Sequence, residues 1–393
     1  MHRLLTFPTA LLAAVLLCGS GCGSLRPRQP VPAHPIEQAQ IPGIPGVRML
    51  LHPVQVDMPR IDRSLSNAVP RATGRDRPLT LLALSGGGAD GAFGAGVLCG
   101  WTEAGDRPEF DIVTGISTGA LIGPYAFLGP AHDAELKQSY TSISEKDVAK
   151  KRGLFGILKY RDAVTSSAPL AKLLAKQIDQ AKFDAIAAEH RKGRRFYVGT
   201  VHMDAQRVVV WDMGAIAASG HPDALKLFRK VLLASASVPV AFPPVYFDVE
   251  AGGQRFDEMH ADGGVMTQVF GATFLARLMK LSGRTEGRAY VVRNSQLAPQ
   301  WMAVKPKLVS IAGRAVGTMI DAQGFGDLYR SYLASETGKF EFNLAYVPPD
   351  FDVKREGEFD AAFMRALFDR GHQLARGGFP WAKKPPGLQS LEK

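Results

Sequence analysis

Leu79-Thr80-Leu81-Leu82-Ala83-Leu84-Ser85-Gly86-Gly87-Gly88-Ala89-Asp90-Gly91-Ala92-Phe93-Gly94-Ala95-Gly96-Val97-Leu98 opens with six residues that are apolar apart from Thr80. Such a run is the mark of a strand buried on both faces. The three glycines after it suit a tight turn, and the small residues from Gly91 onward suit a helix that packs closely. A second apolar run at Phe110 to Thr114 predicts a parallel neighbour, joined by a right-handed β-α-β crossover. Phe196 to Val201 and Arg207 to Asp212 read as two strands linked by Met203-Asp204-Ala205-Gln206. Helical patterns occupy Ala134 to Ile143, Leu170 to Ile178, Pro222 to Leu233 and Ala361 to Ala375. The alternation predicts an α/β fold of three layers, with a mainly parallel central sheet flanked by helices.

Gly115-Ile116-Ser117-Thr118-Gly119 sits between the second strand and the helix-like run Ala120 to Leu128. A serine there is held out on a sharp strand-to-helix turn, as at a nucleophile elbow; the plainer reading is a helix N-cap. The glycines at 86 to 88 also have two readings. Gly86, Gly88 and Gly91 fit the dinucleotide pattern G-x-G-x-x-G, but the acidic residue expected at the end of the next strand is missing: Asp111 lies at its beginning and Gly115 at its end. Alternatively, Gly87 and Gly88 present backbone N–H groups to a developing oxyanion, each donor contributing roughly 3 to 4 kcal/mol to the transition state. For a base, none of the 9 histidines stands in a pattern that marks a partner, His202, His221, His260 and His372 included. Asp262, in Asp262-Gly263-Gly264, is the stronger candidate. A carboxyl with an ordinary pKa near 3.9 is a feeble base, so its site must be desolvated and tightly aligned.

With 393 residues, 46% apolar and 21% charged, the chain can bury a large core. The net charge of +10 is scattered rather than gathered into an arm, and the 9% aromatics do not interleave with it, which argues against a nucleic-acid partner and for mild attraction to anionic membrane surfaces. Residues 1–22 have the form of a targeting segment: a short basic start, an apolar run from Leu4 to Leu17, then Gly19-Ser20-Gly21-Cys22. The stretch resembles a bacterial lipoprotein signal, which implies acylation at Cys22, with Cys18 as the rival. Apart from these two only Cys99 remains, so no internal disulfide is expected. Ten prolines between residues 25 and 78 suggest a tether over residues 23–78, parts of which, such as Met49 to Val56, could dock on the domain edge. The domain proper is expected over residues 79–385.

Gly86-Gly87-Gly88 with Gly91, then Gly115-x-Ser117-x-Gly119, then Ala234 to Pro244, then Asp262-Gly263-Gly264, together resemble the patatin-like phospholipase family. The blocks fall in the family's order between Leu79 and Thr267, and Phe359 to Gly371 is similar to the tail of bacterial members. The resemblance implies a patatin-like fold and a dyad of Ser117 and Asp262 without histidine. It further implies an oxyanion hole at Gly86, Gly87 and Gly88, supporting glycines at 115, 119, 263 and 264, a lipid or phospholipid ester substrate, and no cofactor or metal. Asp90 departs from the family, which often carries Arg or Lys there, so the head group is left open between phospholipid and neutral ester. Other expectations are a Ser-Asp-His hydrolase using His372, or a non-catalytic envelope lipoprotein that keeps the fold. A lid is sought in Lys150 to Lys159, through Phe155, Ile157 and Leu158. The protein is expected to be exported and lipid-anchored in the bacterial cell envelope, at the outer membrane, or otherwise periplasmic or secreted.

Overall fold

The computed structural model describes residues 28–51, 57–74, 76–151, 153 and 162–388. The leader with Cys18 and Cys22 lies outside the described residues, as do Phe155, Ile157 and Leu158 of the expected lid.

A nine-stranded sheet forms the middle layer. Its strands are β1 (Arg48–Leu51), β2 (Leu79–Leu84), β3 (Ile112–Ile116), β4 (Arg195–His202), β5 (Arg207–Asp212), β6 (Val245–Ala251), β7 (Gln254–Asp262), β8 (Gly287–Arg293) and β9 (Glu341–Tyr346). The order across the sheet is β1-β5-β4-β3-β2-β8-β9, with β7 paired to both β4 and β6. From β4 to β9 all neighbours are parallel; β1, β5, β6 and β7 join antiparallel. Alternation along β2 divides the core between the two faces. Leu82 and Leu84 point into one apolar cluster, Leu79, Leu81 and Ala83 into another.

The first face is covered by α3 (Gly91–Ala104), α4 (Thr118–Leu128), α5 (Asp133–Thr141), α6 (Ala168–Gln177), α7 (Gln180–Arg191), α8 (Met213–Ala218), α9 (Ala224–Ser235) and α12 (Ala361–Arg376). The second is covered by α1 (Met58–Leu65), α2 (Val69–Thr73), α10 (Ala272–Ser282) and the C-terminal half of α11 (Leu308–Gly338). The architecture is therefore an α/β fold of three layers.

Two expectations change. The second strand begins at Ile112, because the buried Asp111 carboxylate accepts from the Thr80 amide and side chain and so closes the strand entrance. The tether expected over residues 23–78 is, in its described part, folded against the sheet. β1 pairs with β5, Gln40 exchanges backbone hydrogen bonds with Glu250, and Val31, Ile36, Ile41, Ile44 and Val47 are buried. Prolines interrupt this segment every few residues, so its apolar side chains reach the core singly and leave no period to read. The surmise that Met49 and its neighbours dock on the edge holds for Met49 to Leu51; residues 52–56 lie outside the described residues.

Candidate active site

Parallel pairing aligns the C-terminal ends of β2 and β3, with Leu84 opposite Gly115. The loop Ser85 to Gly88 and the turn at Ser117 thus emerge side by side, the usual place for a site in a parallel sheet. β3 pairs with β4 through Ile116 and Gly199, and β4 pairs with β7 through Thr200 and Asp262. The carboxylate is delivered across one strand to the serine.

Ser117 is the first residue past β3 and the N-cap of α4, with φ 52° and ψ −124°. A positive φ on a residue bearing a Cβ is strained, and such strain is held only where the surroundings impose it. Here the turn is wedged in place. A Cβ at residue 119 would lie 2.2 Å from the Leu84 carbonyl oxygen, so only glycine lets α4 start this close to β2. The Ser117 amide donates to Ser235 Oγ at 3.0 Å, and Ser235 in turn donates to the Gly199 carbonyl. Ser117 is 7% exposed and lines a cavity.

Asp262 is buried, and its Oδ1 accepts from the Gly264 amide at 2.7 Å. Its Oδ2 is buried with no partner that meets hydrogen-bond geometry. The Ser117 hydroxyl is nonetheless close enough to pull the carboxyl's pKa down. We read this as a contact short of a formed hydrogen bond, as is common before substrate tightens a site. Burial outweighs that pull and the Gly264 amide together, and pushes the pKa up to about 7. No ionised side chain contributes to the shift.

The glycine loop stands opposite. Gly87 has φ 153°, and a Cβ there would lie 2.0 Å from the Asn294 carbonyl oxygen. Asn294 fixes the loop from β8: its amide donates to Ser85 Oγ, its Nδ2 to the Ser85 carbonyl, and its Oδ1 accepts from the Gly94 amide. Among the described residues, the amides of Gly86 and Gly87 find no backbone or side-chain acceptor. Unpaired amides beside a serine are donors without a charge to receive them.

Ser117 and Gly88 share a cavity of about 420 Å³. Its walls are mainly apolar, with Leu121, Leu170 and Leu173, Val238 and Phe242, and Met364 among them. Thr118 and Tyr140, joined through their hydroxyls at 2.6 Å, supply polar lining near the serine. Val148 and Val164 line it as well, flanking the segment where the lid was sought.

No histidine among the described residues lines the cavity. His260 is buried two residues before Asp262, but its ring nitrogens meet Thr200 Oγ1 and Glu258, and burial pushes its pKa down to about 4. His372 bonds Glu103 on the α3–α12 pair. No group of three or more His, Cys, Asp and Glu side chains among the described residues is placed to hold a metal ion.

Asp90 carries no basic group of its own, yet Arg355 reaches it at 3.1 Å from the segment before α12. Glu358 follows, its Oε1 within 2.9 Å of where a Cβ on Gly88 would be. Ser235, Asn294, Arg355 and Glu358 were not singled out from the sequence; only Ser235 lay in a block that carried a signal. The others come from strand ends and loops far along the chain, where nothing local marks them.

Residues 82–270 match the family model described as patatin-like phospholipase. Among solved structures, one that is similar is the crystal structure of VipD from Legionella pneumophila, at 12% identity over 76% of this chain and 67% of that one, with a TM-score of 0.36. No curated protein matches the chain.

Proposed function

We propose, with the patatin-like phospholipase match as the premise, that this chain is a serine hydrolase of lipid carboxylic esters working through Ser117 and Asp262. The observation that carries the reading is the buried, unpartnered Asp262 Oδ2 facing the strained Ser117 at the end of an apolar cavity. A buried carboxylate oxygen without a formed hydrogen bond is costly to keep, and the side-chain donor that acts on this carboxyl is the Ser117 hydroxyl.

In this reading Asp262 takes the hydroxyl proton as Ser117 Oγ attacks the ester carbonyl carbon. The negative oxygen of the tetrahedral intermediate is received by the amides of Gly86, Gly87 and Gly88. The carbon–oxygen bond to the alcohol then breaks, the alcohol leaves with the proton from Asp262, and the acyl group stays on Ser117. Water, giving its proton to Asp262, attacks the acyl-enzyme and releases the fatty acid, and the proton returns to Ser117. A pKa near 7 lets the carboxyl act in both directions at neutral pH. The apolar walls suit an acyl chain; the head group stays open between phospholipid and neutral ester.

Labelling with a fluorophosphonate probe and assay on a panel of lipid esters tests this. The wild type is expected to label and turn over, and Ser117→Ala to lose the label and at least about 10³-fold in turnover. Full esterase activity in Ser117→Ala or Asp262→Asn overturns the reading. His372→Ala is expected to keep turnover within about twofold; its loss would instead indicate a histidine triad. Export and acylation at Cys22 are part of the same proposal, supported by the form of the leader, and mass spectrometry of the mature N-terminus tests them.

A further inference from the structure

Most of the chain keeps its large apolar side chains inside, but the segment from Trp301 to Met319 does not. Trp301 is 90% exposed, Leu308 83% and Met319 64%, and Met302, Val304 and Ile311 are exposed with them. The charged residues between 301 and 320 are Lys305, Lys307 and Arg314, and no acidic residue is interspersed. Arg314 donates to the Gln300 carbonyl at 2.6 Å, tying the helix to the loop that carries Trp301.

The helical part is two-sided. At about 100° per residue, Leu308, Ile311, Ala315 and Met319 fall within about 80° of one another. Gly313, Val316, Gly317 and Ile320 fall on the opposite side, and these four line the cavity that holds Ser117. Further along, the helix is anchored: Leu328 is in the core, and the buried Asp327 accepts from the amides of Gln268 and Val269. One wall of the acyl cavity is therefore a helix whose other face is apolar, with only basic charges from residue 301 to 320; Asp321, next along the helix, pairs with Arg293.

We propose that the surface formed by residues 301–319 docks onto an anionic lipid bilayer, which sets the helix that walls the cavity at the membrane. The proposal rests on the lipid-ester reading above. Apolar side chains flanked by lysine and arginine are what an interfacial helix requires, since the stems lie along the acyl boundary while the charges meet anionic head groups. A second copy of the chain fits less well, because it would set Lys305, Lys307 and Arg314 against their own counterparts with no acid among them.

The test uses the chain from Gly23 onward, which contains every described residue and omits the apolar leader. Vesicles of phosphatidylglycerol and phosphatidylcholine, 1:1, are compared with phosphatidylcholine alone by sedimentation and tryptophan emission. Trp301 is the most exposed of the 4 tryptophans, so binding is expected to shift emission to the blue, and Trp301→Leu to remove the shift. The variant Leu308→Ser/Ile311→Ser/Met319→Ser is expected to bind mixed vesicles at least about tenfold more weakly. Lys305→Glu/Lys307→Glu is expected to lose about tenfold on mixed vesicles and little on phosphatidylcholine. Both should keep the wild-type unfolding midpoint and turnover of a soluble ester, p-nitrophenyl butyrate. Wild-type vesicle affinity in both variants overturns the proposal, as does a parallel loss of soluble-ester turnover. If the wild type hydrolyses nothing while the variants still lose vesicle affinity, docking stands and the enzymatic reading falls.

Discussion

Burial raises the pKa of Asp262 as it does that of Asp90 in the glycine loop, and Asp262 is the one the proposed chemistry uses. Its ionised form accepts the Ser117 proton, so kcat/KM for a soluble ester is expected to rise with pH through about 7 and level off above. A midpoint below about 5 would mean that burial does not raise this carboxyl, and unchanged turnover in Asp262→Asn would mean that it is not the base. The same group affects stability in the opposite sense. Its folded pKa, about 7, lies above the ordinary value near 3.9, so between those values the folded state holds a proton that the unfolded state releases. Stability from this group is full below about pH 4 and is lost as pH rises through about 7. Asp262→Asn should therefore gain in melting temperature on the wild type as pH rises across that window, while losing turnover; melting curves at pH 5 and 8 check it. Ser117 and Asp262 were legible in the sequence because glycines mark the turns that hold them. What was not legible is the free Oδ2, since burial of one carboxylate oxygen follows from how β7 meets β4.

At the level of elements, the glycine-rich helix α3 is explained by its partner α12. A Cβ at Gly96 would lie 2.1 Å from the Phe368 carbonyl oxygen, and one at Gly100 would lie 2.2 Å from that of His372. The two helices meet backbone to backbone, a closeness no side chain can share. Gly96→Ala or Gly100→Ala is expected to cost about 1–3 kcal/mol in urea denaturation, since rigid backbone must move, whereas a Cβ at Gly74 would meet only the Pro70 carbonyl oxygen at 3.6 Å and Gly74→Ala should cost less. The small residues from Gly91 to Gly100 predicted close packing without naming the partner. Long-range identity of that kind is invisible locally. Likewise the β6–β7 hairpin carries Asp262 yet was not read as strands: along β6 the buried Val245, Phe247 and Val249 alternate with Tyr246, Asp248 and Glu250, and along β7 the charges Asp257 and Glu258 are themselves buried, so no apolar alternation shows.

For the molecule as a whole, the N-terminal segment belongs to the core. Arg48 on β1 is fully buried, pairs with Glu258 on β7 and donates to the Ala39 carbonyl at 2.8 Å. Removing one partner of a buried pair leaves the other charge without compensation, so Arg48→Ala is expected to destabilise by about 3–5 kcal/mol in chemical denaturation. A segment that merely tethered the domain would show no such loss. Domain order and the parallel centre could be read from strand, glycine and helix patterns between Leu79 and Asp212. The contribution of residues 28–74 could not, because proline-broken chain buries its side chains one at a time.

The last strand of the sheet shows what the chain does with its far edge. Leu344 of β9 and Ala382 exchange both backbone hydrogen bonds, at 2.8 and 3.0 Å, and Lys383 sits beside them against Glu341 and Asn343. An open edge with free N–H and C=O groups invites another strand, and a lysine next to a one-residue bridge is a barrier to that. Residues 379–386 thus cap this edge, and a chain shortened before Phe379 is expected to lose the packing of Phe379 on Phe93 and of Trp381 on Trp101 and Tyr290 and to associate through β9 as its concentration rises.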